Sequence, residues 1–110
     1  MLTQALKKAT YEVVSVSTFR EGFAEASSRS FDVIILDTHL PDGSGIDLCR
    51  QIRGTGRLTP IIFYSADAYA HQIEKAMEAG ATTYLTKPLA PEDVEQAIER
   101  LVSQPDSFVA

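Results

Sequence analysis

Three short apolar runs limit what this chain can fold into. Phe31 to Leu36 leads into Asp37, Ile61 to Tyr64 leads into Ser65, and Thr82 to Thr86 leads into Lys87. Asp37 and Ser65 stand 28 positions apart and Ser65 and Lys87 stand 22 apart, each about one strand–helix–strand unit. Strands at that spacing, with helices between them, build a parallel sheet covered on both faces. A carboxylate, a hydroxyl and an amine then sit at equivalent strand ends along one edge, the edge where open α/β sheets place their chemistry.

The intervening segments carry helical signals. Leu2 to Ala9 reads as part of a helix and Tyr11 to Val16 as a β-branched strand. Thr18-Phe19-Arg20-Glu21 fits a capping box that opens a helix running to about Arg29. Ser44 or Gly45 opens the next helix. There Ile46, Cys49, Ile52 and Arg53 follow at helical spacing, and Gly54 and Gly56 break the pattern. A third helix from about Ala68 carries Tyr69, Ile73, Ala76 and Met77 on one stripe and stops at Gly80. Pro91 suits the first turn of the last helix, where Glu92 and Asp93 favour its dipole and Val94, Ala97, Ile98, Leu101 and Val102 face inward. Residues 1–104 thus read as one domain and residues 105–110 as a tail. Cys49 is expected to be a small core residue, and Asp67 and His71 solvated positions near the mouth of the site.

Bulk composition excludes several function classes. A length of 110 residues suits one core. No apolar run approaches the ~18 residues of a membrane span, and no signal peptide is evident, so the expected location is cytoplasmic. One cysteine rules out an internal disulfide, and one Cys with two distant His residues gives no zinc spacing. The net charge of −5 argues against direct nucleic-acid or anionic-membrane binding.

Asp after a strand is commonly only a turn or capping residue. With Ser65 and Lys87 in register, another chemistry opens. A carboxylate can take a phosphoryl group as a nucleophile. Lys87 can neutralise one phosphoryl oxygen, Ser65 can donate to another, and Ala66 offers a backbone N–H beside them. Mg²⁺, which prefers carboxylates plus waters, normally joins such a site.

On these residues the chain resembles the receiver domain of two-component response regulators, the CheY-like family. The resemblance runs through Val33-Ile34-Ile35-Leu36-Asp37, Pro41 and Gly45, Tyr64-Ser65-Ala66, Gly80-Ala81 and Tyr84-Leu85-Thr86-Lys87-Pro88, and covers about Leu2 to Val102. It implies a flavodoxin-like, doubly wound parallel sheet. It also implies a signalling domain rather than an enzyme, phosphorylated on Asp37 by a sensor histidine kinase or phosphotransfer protein. Ser65, Lys87 and the Ala66 backbone would hold the phosphoryl group, and Ser65 with Tyr84 would form a conformational switch. Asp37 and the backbone carbonyl of His39 would be Mg²⁺ ligands, and the Lys87–Pro88 bond would be cis. The helix after Ser65, the strand leading to Lys87 and the last helix would signal to an output partner.

One departure qualifies this. Family members begin with a strand ending in an acidic pair that completes the Mg²⁺ site, and no acidic pair precedes Tyr11 here. Four strands are therefore expected, with weakened metal binding and phosphotransfer. Either Val13–Val16 pairs directly with Val33–Leu36, or a partner chain fills the gap and a dimer forms. Two other functions compete. One is a pseudo-receiver, a phosphorylation-impaired interaction module. The other is a haloacid-dehalogenase-like phosphatase, which needs a second Asp where this chain has His39, and a later acidic pair that no strand after Lys87 carries.

Overall fold

The computed structural model describes residues 12–102. The expected helix at residues 2–9 and the tail at 105–110 lie outside them. In chain order the elements are β1 (Val13–Ser15), α1 (Phe19–Ser28), β2 (Val33–Leu36), β3 (His39–Leu40), β4 (Gly43–Ser44), α2 (Gly45–Gly54), β5 (Ile61–Ser65), α3 (Ala70–Glu78), β6 (Thr83–Thr86) and α4 (Pro91–Val102). The main sheet is parallel, in the order β1-β2-β5-β6. The gap foreseen beside β1 is closed within the chain: Val13 pairs with Val33 and Ser15 with Ile35, and the Val16 N–H donates to the Ile35 carbonyl at 3.0 Å.

The central strand explains the layering. All four residues of β2 are buried, and alternate side chains serve opposite faces. Ile34 and Leu36 join Phe63 and the α2 residues Leu48, Cys49 and Ile52 in one cluster. Val33 and Ile35 join Ile62 and the α4 residues Val94 and Ile98 in the other. A continuous apolar run is thus what a strand covered on both faces requires. Cys49 is buried in the first cluster, as its helical position suggests.

The helix starts are tied down more firmly than the sequence reading foresees. Thr18 Oγ accepts from the Glu21 N–H at 3.1 Å, which is the first half of the expected capping box. The two preceding N–H groups go to a distant residue: Phe19 and Arg20 donate to the Asp42 carboxylate at 2.6 and 3.1 Å. Ser44 caps α2, accepting from the Ile46 and Asp47 N–H groups. The third helix differs from expectation. It begins at Ala70; of the expected stripe Ala76 is buried, but Tyr69 and Met77 are exposed, and Ala79, which the stripe did not include, is buried. Short alanines let this helix approach the sheet, so large apolar residues are not needed on its inner stripe.

β3 and β4 form a two-residue antiparallel ladder, with His39 opposite Ser44, between the end of β2 and the start of α2. Gly45 closes this loop. Its N–H donates to the Thr38 carbonyl at 2.9 Å, and a Cβ there would stand 1.8 Å from the Asp37 carbonyl oxygen. Gly45→Ala is therefore expected to destabilise the protein by about 1–3 kcal/mol or more, because backbone rather than a flexible side chain must give way. Gly54→Ala is the control. A Cβ at Gly54 meets nothing within 4 Å, so Ala there should stabilise helix α2 by about 0.5–1 kcal/mol. Urea midpoints of the two variants check the contrast.

Candidate phosphoacceptor site

The register of the sheet brings the three sequence-selected side chains together. Leu36 pairs with Phe63 and Ser65 with Thr86, so Asp37, Ser65 and Lys87 leave their strands at one edge. Ser65 Oγ donates to Asp37 Oδ1 at 2.9 Å, and Lys87 Nζ donates to Asp37 Oδ2 at 3.2 Å. The His39 N–H also reaches Oδ1, at 3.3 Å. Asp37 and Lys87 line a cavity of about 130 Å³ whose floor includes Leu36 and Tyr64.

Lys87 is aimed by its surroundings. Its N–H donates to the Ser65 carbonyl at 2.8 Å, extending the β5–β6 ladder. Its ammonium lies 5.3 Å from the centroid of the Tyr64 ring. The Tyr64 hydroxyl in turn accepts from the Leu89 N–H at 3.2 Å, tying down the loop behind Lys87. The Lys87–Pro88 bond is cis, as the resemblance implies. Sequence reading did not pick out Tyr64 in this role, and its place one residue before Ser65 was the available signal.

The electrostatics follow from these contacts. Burial pushes the Asp37 carboxyl upward. The His39 N–H, the Ser65 hydroxyl and the Lys87 ammonium outweigh burial and hold it below its ordinary value of 3.8. The group is ionised at neutral pH, as a nucleophile must be.

Other expected residues fall differently. Ala66 is exposed directly after Ser65. Tyr84 stacks on Phe63, with centroids 5.8 Å apart, and its hydroxyl donates to the Asp67 carbonyl. Asp67 is not a solvated bystander. Its side chain is only 12% exposed, and its carboxylate meets His39 Nε2 and Gln72 Nε2, each at 3.1 Å. Side-chain bonds from two elements hold in place a position that sequence alone leaves open. His71 is exposed, and its ring stacks on Tyr69.

A Mg²⁺ ion here would need oxygen donors beyond the Asp37 carboxylate. Both Asp37 oxygens already accept hydrogen bonds. Among the described residues no three His, Cys, Asp or Glu side chains gather where they could hold a metal. Asp42, the nearby loop acid, is engaged at the start of α1. These residues do not make a complete Mg²⁺ cage, which takes carboxylates and waters at near-octahedral geometry.

The model of the response regulator receiver domain matches residues 1–99. This chain belongs to that family. A receiver domain protein (CheY-like) from Methanospirillum hungatei superimposes with a TM-score of 0.88 at 25% identity, covering 97% of this chain and 86% of that one. The receiver domain of the sensor histidine kinase PA1611 from Pseudomonas aeruginosa, solved with a magnesium ion coordinated in its active-site cleft, matches with a TM-score of 0.77 at 28% identity, covering 93% of this chain and 83% of that one. The alkaline phosphatase synthesis transcriptional regulatory protein PhoP of Bacillus subtilis is 29% identical over 102 residues, 93% of this chain and 42% of that protein. The chain spans less than half the length of the curated relatives it first matches. The fold is accordingly the flavodoxin-like receiver fold. Among the described residues no helix of this receiver is long and apolar enough to cross a membrane.

The lowered Asp37 titration has a definite sign. A carboxyl held below its unfolded-state value contributes stability above that value, and loses it as pH falls through the folded one. The contribution of Asp37 should therefore fade from about pH 3.8 downward. Carboxyl-carbon NMR should place its midpoint below 3.8, and Lys87→Met or Ser65→Ala should each move that midpoint up.

Proposed function

We propose that Asp37 of this receiver domain accepts a phosphoryl group from the phosphohistidine of a sensor histidine kinase or phosphotransfer protein. In that step a P–O bond forms at the Asp37 carboxylate as the donor's P–N bond breaks. The observation that carries the reading is the convergence of Ser65 and Lys87 on the two oxygens of one ionised carboxylate. A nucleophile already flanked by a hydroxyl donor and an ammonium has both charge-stabilising groups in place for the phosphoryl oxygens. The Ala66 N–H, directly after Ser65, would add a third donor. Receivers of known structure include one with magnesium in the cleft. Here Asp37 and the His39 carbonyl would supply part of such a site, and the phosphotransfer would take place in the cytoplasm.

The switch reading has a physical route as well. Ser65 Oγ accepts from the Asp67 N–H at 3.1 Å, and the Asp67 carbonyl accepts from the Tyr84 hydroxyl. One residue thus links the hydroxyl beside the phosphoacceptor to the aromatic ring on β6. A shift of Ser65 toward a phosphoryl oxygen would move that residue and change the hold on Tyr84, biasing two arrangements of the α3–β6 surface. The output partner would read that surface.

A second reading is favoured by one specific observation. Among the described residues no three metal-ligating side chains gather, and Lys87 already engages the Asp37 carboxylate. That arrangement suits a module whose phosphotransfer is impaired and whose interactions do not depend on it.

Incubation with a small phosphodonor and millimolar Mg²⁺, followed by intact-mass measurement, tests both readings. Slow labelling that disappears in Asp37→Asn is the expected result. Labelling that survives Asp37→Asn would remove Asp37 as acceptor. A rate as fast as that of a receiver with a full acidic pair would contradict the expected impairment. No labelling even with a cognate kinase would leave the interaction module as the function.

A further inference from the structure

Thr38 and Ser65 are the two buried polar residues among those described, each 1% exposed, and their hydroxyls lie 2.8 Å apart. Nothing in the phosphoacceptor chemistry above uses Thr38. Its position is nonetheless fixed by the same loop: the Thr38 carbonyl accepts from the Gly45 N–H at the point where Gly45 has no room for a side chain.

Two proton arrangements can join the three oxygens. In one, Ser65 donates to Thr38, and Thr38 donates to Asp37 Oδ1 over 3.4 Å. In the other, Thr38 donates to Ser65, and Ser65 donates to Asp37 Oδ1 over 2.9 Å. A hydrogen bond to an ionised carboxylate is the strongest in this cluster and strengthens as it shortens, so the second arrangement wins. A hydroxyl has one proton and two lone pairs. Ser65 Oγ then accepts from the Thr38 hydroxyl and from the Asp67 N–H, and its single proton is left for Asp37. Its hydrogen-bonding capacity is filled.

We infer that Thr38 is a positioning residue: its hydroxyl, by donating to Ser65, locks the Ser65 rotor so that the Ser65 proton points at the phosphoacceptor. A rotor held in one position keeps the Ser65 proton on the Asp37 carboxylate, so this side of the site is organised in the resting chain. Without the Thr38 hydroxyl, a buried lone pair of Ser65 loses its partner, and the side chain gains a reason to leave its rotamer. The inference rests on Asp37 being the phosphoacceptor for its functional meaning, but the geometry it describes belongs to the unphosphorylated chain.

The test uses the full 110-residue chain without phosphodonor. Thr38→Val keeps the shape and removes the hydroxyl, while Thr38→Ser keeps the hydroxyl and removes the methyl. Hα–Hβ couplings should show Ser65 in one staggered rotamer in the parent, averaged rotamers in Thr38→Val, and a single rotamer again in Thr38→Ser. Exchange of the Asp67 N–H should quicken roughly fivefold in Thr38→Val and return in Thr38→Ser. If Thr38→Val fails to fold, Thr38→Ala against Thr38→Ser poses the same question. An unchanged Ser65 rotamer and Asp67 exchange in the hydroxyl-free variant, or failure of Thr38→Ser to restore them, overturns the inference. Absence of Asp37 labelling would instead sink the phosphoacceptor reading alone.

Discussion

The site depends on the register of two adjoining parallel ladders. Leu36 lies opposite Phe63, and Ser65 lies opposite Thr86. Because side chains alternate along a strand, a slip of one residue would exchange the side chains packed in one core cluster with those packed in the other. The buried residues of β2 and β5 hold that register, since each strand is apolar toward both layers. In that alignment Asp37, Ser65 and Lys87 meet at one edge.

At the edge of that core, burial and hydrogen bonding oppose each other. Partial burial disfavours the charged form of Asp37, while a backbone N–H, a hydroxyl and an ammonium favour it. The second group of effects prevails, so the carboxylate stays ionised in a site that is only half open to water. The same contacts that keep it ionised also occupy its oxygens, so any group that approaches them must compete with Ser65 and Lys87.

Around this centre the loops act as fixed spacers. Gly45 lets the chain pass against the Asp37 carbonyl. Asp42 holds the start of α1. Asp67 gathers His39, Gln72, Tyr84 and Ser65 into one hydrogen-bonded group beside the site. These contacts convert three strand ends into a cluster with defined distances. They also give Ser65 a physical connection to the β6 surface.

The sequence by itself determined the alternation of strands and helices, the parallel sheet, and the choice of Asp37, Ser65 and Lys87. Apolar runs, caps and turn residues act locally, and their spacing carries through to strand ends. The direct pairing of β1 with β2 was legible only as one of two options, because pairing is a long-range choice. Tertiary structure alone decided the rest. Tyr69 and Met77 look like core residues by helical spacing, yet the small Ala76 and Ala79 face the sheet. Asp42 caps a helix more than twenty residues earlier in the chain. Thr38 reads as one more turn residue until the fold buries its hydroxyl against Ser65. In each case the deciding partner is distant in sequence, and hydrogen bonds between distant residues leave no periodic trace for a local reading to find.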